Sequence, residues 1–200
     1  MQIAVMLVIA YLLGSIPTGL WIGKLFYHTD IRESGSGNLG ATNSFRVLGK
    51  KAGIAVTVID ILKGTAAVLL LHLPAFQDAG IHPLTLGIAA VVGHMFPVFA
   101  KFRGGKAVAT SGGVILGYSW PFFIVLIASF LIVLKLTKMV SLTSMAMGIV
   151  GLAYAAVNYF MTGDLYLLVV IFLLTAFIFY RHRANIGRIK AGTEPKVKWL

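Results

Sequence analysis

Cysteine is absent from the 200-residue chain, which excludes disulfides, thiolate metal sites and a thiol nucleophile together. Charge is scarce as well, with 12% of residues Asp, Glu, Lys or Arg against the roughly 25% of an ordinary soluble domain. Acidic residues number only six. No His, Asp and Glu spacing among them makes a metal site, so neither a metal nor another cofactor is expected. The first residues, MQIAVMLVIAYLLGSIP, lack the basic n-region of a cleavable signal peptide and form an apolar run long enough to span, so they read as a retained first helix. Hydrocarbon is what the chain has instead: 58% of its residues are hydrophobic. The class is an all-α polytopic membrane protein.

Spanning a bilayer takes about 20 apolar residues, fewer where protein or water replaces lipid at one end. Seven stretches qualify, at residues 2–23, 52–73, 81–100, 107–118, 121–136, 140–161 and 165–180. The fourth is short and carries Gly112, Gly113 and Gly117, which leaves a re-entrant segment as its alternative. Taken together they predict one integral-membrane domain over residues 1–200.

The basic residues alternate with these stretches, as short cytoplasmic loops accumulate Lys and Arg. Lys24, Arg32, Arg46, Lys50 and Lys51 follow the first; Lys101, Arg103 and Lys106 follow the third; Lys135 and Lys138 follow the fifth. Arg181, Arg183, Arg188, Lys190, Lys196 and Lys198 follow the seventh, so that 16 of the 17 basic residues fall in four places. The N-terminus is therefore expected outside and the C-terminus in the cytoplasm. Dropping the fourth span would break this alternation. The same bias accounts for the net charge of +11, so no nucleic-acid partner is expected, while anionic lipid headgroups are attracted by these charges.

Every chemically unusual cluster then falls on the cytoplasmic side. In SGSGNLGATN, Gly35, Gly37 and Gly40 have the spacing G-x-G-x-x-G, but no strand precedes them and no soluble helix follows, both of which a dinucleotide site needs. The glycines suit instead a nest of backbone N–H groups around an anion, with the dipole end of a helix starting near Thr42. Ser34, Ser36 and Thr42 can donate hydroxyl bonds, Asn38 and Asn43 amide bonds, and Arg46 a planar fork for phosphate. The competing reading of this segment is a flexible Gly/Ser linker.

Further along, GHMFPVFAKFRGGKAVAT sets Gly104, Gly105 and Lys106 before an apolar span. A lysine at a helix N-terminus opposes the dipole unless an anion lies between them. The alternative is an ordinary positive-inside lysine. The segment RHRANIGR places His182 and Asn185 three residues apart, on one face if the helix continues, among Arg181, Arg183 and Arg188. Those cations push the histidine toward its neutral, proton-accepting form. Alternatively the segment is a basic flank with an incidental histidine. Asp60 and Lys63 lie near the middle of the second span; their i, i+3 spacing predicts a mutually neutralising structural pair. His94, before Pro97, is expected to be a satisfied packing residue.

Four such motifs resemble one family, the bacterial acyl-phosphate:glycerol-3-phosphate acyltransferases of phospholipid synthesis. The resemblance runs from GSIPTGLWIGK to NIGR and includes DILKG and SLTS. Ala107 stands where many members have glycine after GGK; alanine also starts a helix well, so little is expected to follow from it. The resemblance implies transfer of a fatty acyl group from acyl phosphate to the 1-hydroxyl of glycerol 3-phosphate, giving lysophosphatidic acid and phosphate. No acyl-enzyme is needed, because the donor is already activated. It further implies a multi-pass cell-membrane enzyme with its active site facing the cytoplasm, and leaves room for a partner enzyme that produces the acyl phosphate. In this reading Ser34 to Asn43 grip the donor phosphate, and Arg46, Lys106 and Asn185, with Ser144 and Ser141, hold glycerol 3-phosphate. Its hydroxyl would come within about 3–3.5 Å of the acyl carbon. The general base is either His182 or a substrate phosphate oxygen. A carrier for organic phosphates, with Asp60 and Lys63 on its path, is the alternative function.

Overall fold

The computed structural model describes residues 1–197; Lys198, counted above in the basic tail, lies outside the described residues. Among the described residues there are ten α-helices, short 3₁₀ turns and no strand. They group into two compact units. The first, Met1–Ser119, holds α1 (Gln2–Ser15), α2 (Thr18–Tyr27), α3 (Ala41–Val47), α4 (Lys50–Leu69), α5 (Pro83–Met95) and α6 (Val108–Tyr118). The second begins at Trp120 and holds α7 (Trp120–Thr137), α8 (Val140–Thr162), α9 (Leu165–Arg181) and α10 (Arg183–Lys190).

Four helical stretches are long and apolar enough to cross a membrane: Lys50–His72, Pro83–Ala100, Trp120–Thr137 and Val140–Thr162. Two bent pairs, α1 with α2 at 44° and α9 with α10 at 58°, raise the number to six when each counts as one span. The fourth apolar stretch of the sequence corresponds to α6, whose 11 residues rise only about 16 Å at 1.5 Å per residue. A hydrocarbon core is about 30 Å thick, so length alone does not carry α6 across it.

One predicted helix is broken, and another ends before its basic flank. The first is interrupted at Ile16, because Pro17 has no N–H to continue the ladder and its ring crowds the preceding turn. The break leaves a carbonyl exposed inside the unit, and Lys63 Nζ donates to that Ile16 oxygen at 2.8 Å. The seventh does not continue through its basic flank. His182 leaves the helix at φ −98°, ψ 8°, and α10 starts in a new direction.

Within the first unit, α4 and α6 approach until backbones touch. A Cβ on Gly113 would lie 1.8 Å from the Ile61 oxygen, and one on Gly64 2.3 Å from the Thr110 oxygen. The glycines of the fourth stretch are thus the contact that lets a short helix pack without lipid between, as small residues do in membranes. At α1 and α5 the same device recurs: a Cβ on Gly14 would meet the Ala90 oxygen at 1.9 Å. In the second unit α8 and α9 pack through Gly148, whose carbonyl accepts from Thr175 Oγ1 at 3.2 Å, and Phe122 stacks on Tyr154 with ring centroids 4.0 Å apart.

Candidate active site

In the first unit the glycine loop is built by its own side chains. Asp30 caps the 3₁₀ turn Ile31–Glu33, accepting from the Arg32 backbone N–H at 3.0 Å and from Arg32 Nε at 2.9 Å. The Arg32 guanidinium is the main reason the Asp30 carboxyl stays well below the usual carboxylate range. Burial opposes the shift, while the Arg32 N–H and Lys24, 3.3 Å away, add to it. Asn43 is fully buried at the loop centre: its Oδ1 accepts from Ser36 N at 2.9 Å, and its Nδ2 donates to the oxygens of Ile31 at 2.9 Å and Ser34 at 3.1 Å. Gly35 and Gly37 have φ of 64° and 67°, in the left-handed region glycine favours. A Cβ on Gly35 would also sit 2.3 Å from Asn43 Oδ1.

These bonds alter the expected division of labour. Asn43, assigned above to the substrate, instead holds the loop in shape, because its donor and acceptor are both turned onto backbone. Three of the backbone N–H groups also stay inside the loop: Ser36 N on Asn43, Gly37 N on the Ser34 oxygen at 3.1 Å, and Gly40 N on Asn38 Oδ1 at 2.9 Å. With seven residues, α3 is too short for a strong dipole. The hydroxyls of Ser34, Ser36 and Thr42 and the Nδ2 of Asn38 take no part in these bonds. Thr42 and Arg46, four apart on α3, are exposed on one face of it.

Lys106 stands two residues before α6, as expected. The loop ahead of it is sewn to the end of α5 by Gly104 N on the Met95 oxygen and Gly105 N on the His94 oxygen, both at 3.1 Å. Neither glycine has room for a side chain, since a Cβ on Gly104 would lie 2.0 Å from the His94 oxygen and one on Gly105 2.1 Å from His94 Nε2. Ala107 corrects an expectation. It caps α6 at φ 58°, ψ 15°, a left-handed conformation that costs an L-residue about 1–2 kcal/mol. Its ability to start a helix is therefore beside the point; glycine at this place would be relaxed.

Asp60 and Lys63 form the expected pair, Nζ to Oδ1 2.8 Å, with both side chains buried. Thr18 Oγ1 donates to the same Asp60 oxygen at 3.0 Å. Ionisable groups at depth, the feature that favoured a carrier, are accounted for by packing at the α1–α2 break. His94 is likewise satisfied, with Nδ1 3.1 Å from Thr110 Oγ1.

The second unit carries its own polar cluster at the start of α8 and the α9–α10 bend. His182 is 3% exposed and its Nδ1 lies 2.7 Å from the Ile178 oxygen. A carbonyl only accepts, so this nitrogen carries the proton and the lone pair of the neutral ring is on Nε2. Ser144 Oγ donates back to the Val140 oxygen at 2.8 Å. Ser141 Oγ and Asn185 Nδ2 both donate to Glu194 Oε1 at 2.6 Å, and Arg188 Nε donates to Glu194 Oε2 at 2.7 Å. Burial pushes the Glu194 carboxyl up, but these three bonds outweigh it and leave the group below its ordinary value.

Comparison with known proteins places the chain. A family model described as glycerol-3-phosphate acyltransferase matches residues 4–192. The chain belongs to the glycerol-3-phosphate acyltransferase family. A glycerol-3-phosphate acyltransferase of Geobacillus kaustophilus (strain HTA426) is 60% identical over 196 residues, covering 98% of this chain and 96% of its own. That of Bacillus subtilis (strain 168) is 58% identical over 200 residues, the full length of both. The crystal structure of PlsY (YgiH), an integral membrane glycerol 3-phosphate acyltransferase, in its glycerol 3-phosphate form superposes with a TM-score of 0.87 at 36% identity, over 97% of this chain and 94% of that one. Its lysophosphatidic acid form gives 0.82 at 35% identity, over 96% and 94%.

Within this acyltransferase chain, Glu194 is the residue that sequence reasoning missed. One signal was present: a lone carboxylate amid Arg188, Lys190 and Lys196. Gly192, at φ 70°, makes the turn that brings it back beside α10. Thr110 was missed too, since a threonine within an apolar helix carries no mark of its partner.

Proposed function

We propose that this membrane protein transfers a fatty acyl group from acyl phosphate to the 1-hydroxyl of glycerol 3-phosphate, forming lysophosphatidic acid and inorganic phosphate. Membership of the family and full-length similarity to glycerol-3-phosphate acyltransferases support the acceptor and product. One observation carries the donor assignment. The chain has no cysteine, so an acyl-cysteine intermediate is excluded. Acyl phosphate is already activated, so direct transfer to the glycerol hydroxyl needs no acyl-enzyme.

In the reaction the glycerol oxygen attacks the acyl carbon, the carbon–oxygen bond to phosphate breaks, and the hydroxyl proton leaves to a base. The first unit supplies the hydroxyls of Ser34, Ser36 and Thr42 and the Asn38 amide to the donor phosphate, with Gly35, Gly37 and Gly40 shaping the loop. Arg46 and Lys106, set on the Gly104–Gly105 turn, serve the phosphate of the acceptor, and Lys106 stabilises the developing oxyanion. Ser141, Ser144 and Asn185 are assigned to glycerol 3-phosphate as well, and His182 to the proton transfer. The Nδ1-protonated form of His182 leaves Nε2 as the proton acceptor; a substrate phosphate oxygen is the other group that can take the proton. A kcat unchanged across pH in His182→Ala would assign it to the phosphate.

Seven spans, with the N-terminus outside and the C-terminus and the active site in the cytoplasm, complete the reading. The alternation of basic loops supports it, with α6 crossing the core with protein rather than lipid at its glycine face. The test is purified protein in detergent with palmitoyl phosphate and glycerol 3-phosphate. Equal release of phosphate and lysophosphatidic acid is expected; no turnover, together with phosphate-ester uptake into liposomes, would make the protein a carrier.

A further inference from the structure

The polar network in the first unit does not end at the Asp60–Lys63 pair. It runs from the α1–α2 break, through Thr18 and Asp60 on α4, to His94 on α5 and Thr110 on α6. His94 Nδ1 is 3.1 Å from Thr110 Oγ1 and 3.8 Å from Asp60 Oδ1. The opposite edge of the ring faces the Gly104–Gly105 turn, where a Cβ added to Gly105 would stand 2.1 Å from Nε2, 3.0 Å from Cδ2 and 3.1 Å from Cε1. The backbone of the same histidine accepts from Gly105 N. His94 is thus the floor on which the residue before Lys106 rests, and its ring angle is set from behind by a hydroxyl that is wholly buried.

We infer that Thr110 is a positioning residue for Lys106, acting through the His94 ring. Packing alone would not call for this chemistry. A valine would fill the volume of Thr110, and a leucine that of His94, without the cost of desolvating polar atoms. What the polar contact adds is direction: the hydrogen bond fixes one ring rotation and hence one path for the turn, and Lys106 leaves that turn at a defined angle. A loose ring would let the turn shift by a few tenths of an ångström, and catalytic positioning is sensitive on that scale. The inference rests on the assignment of Lys106 to glycerol 3-phosphate made above.

The test compares Thr110→Val, which keeps the volume and removes the hydroxyl, with Thr110→Ser, which does the reverse. Thr110→Val is expected to raise the KM for glycerol 3-phosphate about 3- to 10-fold, the range for one buried hydrogen bond, with the KM for palmitoyl phosphate unchanged. Thr110→Ser is expected to stay near wild type. Should Thr110→Val not yield folded protein, His94→Asn carries the test with the same expected split, since it keeps a polar atom near Nδ1 and withdraws the edge facing Gly105. A larger defect in Ser than in Val, equal changes in both KM values, or no change in either would overturn the inference. Lys106→Ala is assayed beside them. A wild-type KM for glycerol 3-phosphate in that variant would overturn the assignment of Lys106, and the inference with it; a raised one isolates the relay.

Discussion

Glu194→Ala is the sharpest perturbation the second unit offers. The carboxylate is 6% exposed and accepts from Ser141, Asn185 and Arg188. Its removal takes one bond each from the Ser141 hydroxyl and the Asn185 amide, which are 6% and 7% exposed. Two bonds to a charged acceptor at about 1.5–3 kcal/mol each give about 3–6 kcal/mol. Arg188 is 43% exposed; it turns to water, and its ion pair adds little. Glu194→Gln keeps the shape and one acceptor oxygen but loses the charge that strengthens all three bonds, for a smaller loss of about 1–2 kcal/mol. Thermal unfolding in detergent reads both, with the order wild type, Gln, Ala. The pH dependence has a sign. Glu194 is held below its ordinary value of 4.5, so its stabilising contribution is full above that value and is lost as pH falls through the lower native one. The gap between wild type and Glu194→Gln should therefore be constant from neutral pH to about 5 and close below that. Equal unfolding temperatures for wild type and Glu194→Ala at pH 7, or a gap that widens on acidification, would refute the reasoning.

Three other substitutions probe the first unit. Asn43→Ala removes three bonds from a buried position and should destabilise by about 2–4 kcal/mol, and Asn43→Asp should fail similarly because a carboxylate cannot donate to the Ile31 and Ser34 oxygens; unfolding temperature and the KM for palmitoyl phosphate check both. Ala107→Gly relieves a left-handed alanine but loosens the unfolded chain, for a net change between zero and about 1 kcal/mol of stabilisation; a clear loss of stability would show that φ is not the issue there. Gly113→Ala places a methyl group 1.8 Å from the Ile61 oxygen, so α4 and α6 must separate, at a cost of about 1–3 kcal/mol or more, read as a lower yield of folded protein.

The helices were legible in the sequence because bilayer physics writes them as long apolar runs, and every run has its helix. The breaks were not. Pro17 was in plain view, but whether a proline kinks a span or ends it depends on what receives the freed carbonyl, here Lys63 from 47 residues away. The site motifs were visible as residue types rather than as roles. Asn43 and Asn38 look alike in SGSGNLGATN, yet one is buried among backbone oxygens and the other leaves its Nδ2 outside the loop's bonds. Lys106 stood out because a cation before a helix is electrostatically odd. Glu194 did not, because a single acid in a basic tail looks like ordinary solvated charge until Gly192 turns it inward.

The most direct measurement of the central claim is donor choice. Purified protein is given glycerol 3-phosphate with palmitoyl phosphate, palmitoyl-coenzyme A or palmitoyl-acyl carrier protein, and lysophosphatidic acid is quantified beside the leaving group. The account predicts product from palmitoyl phosphate alone, one phosphate released for each ester formed. Product from either thioester at a comparable rate would contradict it.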